Sequence, residues 1–340
     1  MKGKKILVLG ATGAMGQYLV PRLSACGARL TTVALGDMPQ IPENVNHIKT
    51  TNAKEPGFLA DLLKEKFDAI VDFLIYPTGE LIDYLPYLVQ NTDHYIYLSS
   101  YRIYDNKEIP IKETSPRLLD AADDILLRNS DDYSIYKARG ENVLHALPRK
   151  NWTIIRPAIT YSLYRYQLVT QEAGATVHRA WTGKKVPLPA SAKNVQATMS
   201  WAGDVAQMIA GLLFNEKALG EAFTVATSEH HSWGEIADYY KDICNLQAVW
   251  VDDEDYLGAM AKFAGRGPLR SNIIRYQLLY DRLFERVIDN SKILQTTGMK
   301  QEALMPLYKG LEMEINRCPK DHKFYHNDAP WDELLAKLGY

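Results

Sequence analysis

Short apolar runs alternate with longer amphipathic ones over the first 160 residues. Lys5–Leu9, Leu30–Ala34, Ala69–Ile75, Tyr95–Ser99 and Trp152–Arg156 read as strands, and the stretches 13–26, 58–66, 80–90 and 134–147 as helices. Apolar runs this short belong to strands buried on both faces, with helices as crossovers. The alternation predicts an α/β fold, a Rossmann-type doubly wound parallel sheet. Right-handed crossovers then bring all strand C-termini to one edge, where ligands bind.

After residue 160 the pattern loosens. The segment 160–194 is rich in Tyr, Pro, Gly and small polar residues, and reads as loops with a short helix over the sheet edge. A helix (204–214), a strand (222–227), a second helix opened by the N-cap-like Ser232 and a closing segment 331–338 follow. Residues 1–160, with a return from about 195–228, are expected to form the first, Rossmann-type domain. Residues 161–194 and 229–340 are expected to form a smaller mixed α/β C-terminal lobe for substrate.

Composition changes this picture little. The 340 residues carry a formal net charge of -2, so no global basic field would attract nucleic acid or an anionic membrane. The three cysteines are far apart and form no C-x-x-C pair, which argues against a disulfide framework or a cysteine-rich zinc site. The lysines before the first apolar run mimic a signal peptide, but that run ends at the glycines after a strand's length. No run approaches the roughly 18 apolar residues needed to span a bilayer. A cytoplasmic enzyme is expected.

The chemistry starts at GATGAMG, residues 10–16, which follows the first strand and opens the first helix. Gly10 suits a tight turn, Gly13 lets backbone approach a pyrophosphate, and Gly16 lets helix pack on strand. The free N–H groups and the helix dipole favour phosphate. A glycine-rich turn without a ligand is the bland alternative, but a strand before and a helix after are the context a dinucleotide site requires. The ribose-reading acid should lie about 20 positions on. Asp37 is the acid there, though a turn residue is its other reading, and no Arg or Lys stands between Leu30 and Ile48. NAD is therefore expected, with NADP as the alternative.

DDYSIYKARGE places Tyr133 and Lys137 one turn apart on one helix face. A tyrosine, with a pKa near 10, is a poor base at neutral pH. A neighbouring ammonium and a positive nicotinamide favour the tyrosinate, which can then accept a hydroxyl proton. A serine at another strand end can hold the substrate oxygen, and LSSYRIYD (98–105) supplies one. Tyr136 lies beside Lys137 and reads as packing or a substrate contact.

Together GATGAMG, the LSS strand end, YSIYK followed by GE (residues 133–141 but for Ala138 and Arg139), IIRPAITY and WAGDVA resemble, in order, the signatures of the extended short-chain dehydrogenase/reductases. Within these the chain is similar to the NAD-dependent epimerase/dehydratase branch that modifies nucleotide sugars. The resemblance spans roughly residues 4 to 240, and more loosely 289–298. It implies Tyr133 as base and acid, Lys137 as its tuner and binder of the nicotinamide ribose, and Ser100 as hydroxyl partner, with Ser99 beside it. It further implies Gly10, Thr12, Gly13, Ala14, Met15 and Gly16 around the pyrophosphate. Asn52 would lie near the adenine, Leu74 and Ile75 along the ribose, and Pro157 beside the nicotinamide. A homodimer through the helices at 80–90 and 134–147 is implied as well.

The departures narrow the chemistry. Dehydratases of this family carry an Asp–Glu pair after the catalytic hydroxyl, and decarboxylases a Glu; Tyr101 and Arg102 stand there instead. Those acids are needed to move protons beside the oxidised carbon, so elimination is not expected. Ile159 replaces an Asn, Tyr161-Ser162 replaces Tyr-Gly, and Gln196-Ala197-Thr198 replaces the diphosphate-gripping Arg-Asp. Tyr101, Arg102, Tyr161, Arg165 and Arg282 are taken as substrate contacts, with Arg179 and Arg275 as further candidates for a phosphate.

The expected activity is hydride abstraction from a sugar carbon, most simply epimerisation of a nucleotide sugar. The alternative is a keto-sugar or carbonyl reductase, since SSYRIYDN loosely resembles the corresponding segment of deoxysugar reductases. A non-catalytic dinucleotide sensor or RNA-associated member is the third reading; such members often lose the Tyr or Lys that this chain keeps. His322, His326 and Asp328 have a metal-compatible spacing, but a surface loop is the preferred reading and no metal is expected. His230 and His231 read as a polar cap, and Tyr164 and Tyr166 as pocket or packing residues.

Overall fold

The computed structural model describes residues 1–38, 40–263 and 274–340. Seven parallel strands form its main sheet: β1 (Lys5–Leu9), β2 (Arg29–Ala34), β3 (Val45–Lys49), β4 (Phe67–Asp72), β5 (Thr92–Leu98), β6 (Trp152–Ile155) and β7 (Glu221–Phe223). Their spatial order is β7-β6-β5-β4-β1-β2-β3. The winding direction reverses between β1 and β4, and Leu9 pairs with Val33 on one side and Asp72 on the other. The carboxyl ends at this switch point therefore open a crevice at one edge.

Alternation along each strand builds two cores. Ile6 and Val8 of β1 pack with Val71 and Ile96 under helices α1 (Gly16–Ala25) and, further along the chain, Ala202–Leu212. Leu7 and Leu9 pack on the opposite face with Ile70, Tyr95 and Tyr97, beneath α2 (Leu81–Gln90) and α3 (Tyr133–Ala146). Each such side chain, fully buried, contributes about 1.5–3 kcal/mol from removal of apolar surface.

A further core gathers Tyr166, Val177, Leu188, Trp233, Tyr240, Leu311 and Trp331. It includes the parallel pair Lys185–Pro189 and Gln247–Val251 and the helix Trp233–Cys244, whose N-cap Ser232 forms a capping box with Glu235. Helix Ser291–Thr297 departs from the expected division, because Ile293 and Leu304 join the core beneath Ala202–Leu212.

The strand expectations hold with specific differences. β3 had no counterpart in the pattern: VNHIK is an edge strand with exposed polar positions, so it lacks an apolar run. The fourth strand ends at Asp72 rather than continuing to Ile75, because the Asp72 carboxylate accepts the Leu74 N–H at 2.9 Å and turns the chain. The last ladder stops at Phe223, short of Thr227. Among the described residues no helix is long and apolar enough to cross a membrane, and the three cysteines are free.

Candidate active site

The glycine loop sits at the crevice. Gly10 has φ +78, a left-handed conformation that a side chain would strain, and an added Cβ would meet the Phe73 Cβ at 3.0 Å. At Gly16 a Cβ would lie 2.2 Å from the Ala11 carbonyl oxygen, so only glycine lets α1 start this close to the loop. The N–H groups of Ala14 and Met15 donate to no described residue. Free donors at the start of a helix, with no side chain in the way, fit a pyrophosphate.

The loop opens into a cavity of about 380 Å³ that Ser100, Tyr101, Arg102, Tyr133 and Pro157 also line. Tyr133 occupies the first position of α3, behind Asp132, whose carboxylate caps the helix by accepting the Ser134 N–H at 2.9 Å. Lys137, one turn on, is buried. Its ammonium donates to the Leu98 carbonyl at 2.5 Å and lies 5.7 Å from the Tyr133 ring centroid and 5.2 Å from that of Tyr97. Burial pulls the Lys137 pKa down to about 8, opposed by the charges of Asp72 and Glu141.

Burial pushes the Tyr133 phenol up; the Arg102 charge, a hydrogen bond with Ser100 and the Arg165 charge oppose it, in that order. The Arg102 guanidinium carbon lies 5.0 Å from the Tyr133 ring centroid. Ser100 accepts the Arg102 N–H at 3.2 Å. Tyr136 meets Tyr133 edge-on at 5.4 Å and is a packing residue.

Ser99 faces away from the cavity: its hydroxyl donates to Glu141 at 2.6 Å, and Glu141 holds Arg156 through two bonds of 2.8 Å. This buried pair fastens α3 to β6.

An arginine cluster forms the far wall. Buried Asp281 faces Arg102 at 3.4 Å and Arg286 at 3.2 Å and is hydrogen-bonded by Arg282. Arg282 also donates to the Val169 carbonyl at 2.7 Å and to the Tyr101 hydroxyl at 3.1 Å. Although burial raises the Asp281 carboxyl, the charges of Arg282, Arg286 and Arg102 hold it below its ordinary value. Arg102 keeps its Nε buried without a hydrogen bond among the described residues.

The other expected arginines divide. Arg165 lines the cavity; Arg179 is committed to Asp328 and Asp332, both at 2.8 Å, and Arg275 pairs with Glu254 at 3.0 Å.

Tyr161 does not reach this cavity. It is buried against Gly310, and its hydroxyl has no hydrogen-bond partner among the described residues. Ile75 lines the cavity, whereas Leu74 does not; Phe73, Gln167, Glu172 and Gln277 line it without having been expected. Phe73 follows Asp72, the one acid inside the apolar run 69–75, which was a readable signal. The other three come from the lobe, where no motif marks them. That acid, Asp72, accepts the Tyr95 hydroxyl at 2.7 Å and the Tyr76 hydroxyl at 2.9 Å, and burial raises its pKa.

A second cavity of about 630 Å³ adjoins the loop and is lined by Thr12, Gln17, Gly36, Asp37, Met38 and Arg317, among others. Asp37 is there as expected, but its carboxylate pairs with Lys49 on β3 at 2.6 Å. Asn52 lies outside both cavities, on an exposed turn where its N–H donates to Thr50.

In the C-terminal segment His326 and Asp328 meet His178 rather than His322, and their donor atoms lie within 4.8 Å of one another. Both Asp328 oxygens are already ion-paired, with Arg179 at 2.8 Å and Lys184 at 2.9 Å.

No protein-family model matches the chain, and no curated protein matches its sequence. Solved structures do. An epimerase from Methanothermobacter thermautotrophicus is similar at 15% identity, covering 93% of this chain and 92% of that one with a TM-score of 0.68. A UDP-glucose 4-epimerase from Thermus thermophilus, in complex with NAD, is 17% identical over 92% of this chain and 98% of its own, with a TM-score of 0.64. A dTDP-glucose 4,6-dehydratase from Bacillus anthracis, also in complex with NAD, is 17% identical over 92% and 96%, with a TM-score of 0.67. At these identities the likeness is one of fold, and it runs through nearly the whole chain.

Proposed function

We propose that the chain is an NAD-dependent epimerase of the extended short-chain dehydrogenase/reductase type, acting on a hydroxyl-bearing carbon of a nucleotide sugar. One observation carries the reading: Ser100 and Tyr133 line the same cavity as the glycine loop, with Lys137 against the Tyr133 ring. The dinucleotide, when bound, accepts and returns the hydride. Tyr133 takes the hydroxyl proton as the carbonyl forms and gives it back to the other epimer. Ser100 holds the substrate oxygen, and the positive charges of Arg102 and Lys137 favour the tyrosinate.

Gly10, Gly13, Gly16 and the N–H groups of Ala14 and Met15 hold the pyrophosphate. On this reading Pro157 and Ile75, in the first cavity, take the nicotinamide end, and Thr12 and Asp37, in the second, the adenosine end. The lobe of 161–194 and 229–340 provides the sugar side through Tyr101's partner Arg282. The solved relatives that hold NAD support this choice of cofactor. Cytoplasmic location fits the free cysteines, and a homodimer through α2 fits the exposed Ile82 and Tyr87.

A reductase using NADPH is the second reading. Its support is Lys49, a cation at the ribose end paired to the very acid expected to read the ribose. The test is a thermal-shift panel of UDP-, dTDP-, GDP- and CDP-sugars on NAD-loaded protein. Stabilisation by one of them, with NAD retained through purification, supports the epimerase. Silence across the panel, with free exchange of NADPH, overturns it for the reductase.

A further inference from the structure

Two residues line both cavities: Ala14, on the glycine loop, and Arg165, on the turn that it closes with Ser162. A dinucleotide with its nicotinamide beside Tyr133 and its adenosine beside Asp37 must pass between these two residues, and the part of the molecule at that point is its pyrophosphate.

The cations of the two cavities are not equivalent. Arg102 and Arg282 face Asp281, and Arg317 faces Glu314 at 3.1 Å. The Arg165 guanidinium makes no hydrogen bond or ion pair with a described residue, although the residue is half-buried. An arginine held out of bulk water without an acid is a receptor for an anion.

Its placement is fixed from the cofactor side. Ser162 and Arg165 close a tight turn by exchanging backbone hydrogen bonds of 3.2 and 3.0 Å. Gln17, on the first turn of α1, donates to the Ser162 hydroxyl at 3.2 Å, and the Leu163 N–H donates to the Tyr18 hydroxyl at 3.4 Å. Tyr164, at φ 70, stacks on His322 at 4.0 Å. The turn is thus bolted to the helix whose N-terminus faces the phosphates.

We infer that Arg165 grips the cofactor's pyrophosphate from the side opposite the glycine loop, so that the diphosphate is held between backbone N–H groups and one guanidinium. Arg165 then serves the cofactor, and is not the substrate contact expected from the sequence. The inference rests on the dinucleotide reading of the site above.

The test is isothermal titration of the full chain with NAD and with ADP-ribose, comparing wild type, Arg165→Gln and Arg165→Lys. Wild type binds both ligands. Arg165→Gln weakens both by about 10- to 100-fold, the loss of one charge-assisted pair, and Arg165→Lys recovers part of it. Unchanged Kd values for both ligands in an Arg165→Gln protein with wild-type circular dichroism and unfolding midpoint overturn the inference. So does a loss confined to a UDP-sugar titrated in parallel, which would assign the arginine to substrate. If Arg165→Gln fails to fold, the Arg165→Lys protein decides by the same titrations: a wild-type Kd for ADP-ribose together with a weakened UDP-sugar contradicts the inference. Wild type binding neither NAD nor ADP-ribose removes the dinucleotide reading itself, a result separate from tight wild-type binding that the variants leave untouched.

Discussion

The Arg102 guanidinium carbon lies 5.0 Å from the centroid of the Tyr133 ring, nearer than the Lys137 ammonium at 5.7 Å. Two cations therefore flank the tyrosine ring, and the charge of Arg165 acts on the phenol as well. The one supplied by the strand end occupies the place where a dehydratase would need an acid.

This relationship fixes a pH effect. The base form of Tyr133 is the unprotonated one, so activity rises with pH through its pKa. The Arg102 charge lowers that pKa, against burial which raises it. Arg102→Gln should move the rising limb of kcat/KM to higher pH, and Arg102→Lys should restore part of the shift. A profile unmoved by Arg102→Gln contradicts the role.

Lys137 should cost stability for its chemistry. Its pKa falls from 10.5 to about 8 in the folded chain through burial. The penalty for its charge is full below the folded value and fades as pH rises from there to the unfolded one. Lys137→Met should be more stable than wild type near neutral pH by about 1–3 kcal/mol, less what the bond to Leu98 contributes. Urea unfolding across that range should show the advantage shrinking at alkaline pH.

His94 acts with the same sign at acid pH. It is buried on β5, accepting the Phe214 N–H at 3.0 Å and bonded to the hydroxyl of Thr153 on β6 at 2.8 Å, and burial lowers its pKa from 6.5 to about 4. A depressed folded value gives stability that is complete above the unfolded pKa and lost as pH falls toward the folded one. His94→Gln should remove up to about 3 kcal/mol of that acid sensitivity, read as a flatter stability curve between those two values.

The Glu141–Arg156 pair should prove structural. Glu141→Gln leaves a buried guanidinium without its carboxylate and should destabilise by about 3–5 kcal/mol. Because Ser99 and not Ser100 bonds Glu141, whatever protein folds should bind NAD with the wild-type Kd. A weakened Kd would tie Glu141 to the cofactor site.

What could be read from sequence was local. The glycine loop, the Tyr133–Lys137 turn and Ser100 each lie within one strand, loop or helix, and periodicity places them on one edge. The arginine wall was hidden because Asp281 meets Arg102 from the far end of the chain, and nothing near either residue announces the partner. β3 was hidden for a different reason: at the sheet edge VNHIK needs no apolar run. Tyr161 shows the limit of carrying a role by position, since it ends on the Gly310 side of its strand. Asp37 reached the expected cavity, yet Lys49 already pairs with it, a contact that only the β2–β3 register creates.

The central claim is that Tyr133 takes a substrate proton while the bound dinucleotide takes the hydride. Its most direct test is the NADH absorbance band in NAD-loaded wild type and Tyr133→Phe, each mixed with the nucleotide sugar that gives the largest thermal shift. The account predicts that wild type forms the band transiently and yields the epimer, whereas Tyr133→Phe binds NAD equally well and forms neither. Equal turnover by the two proteins would contradict it.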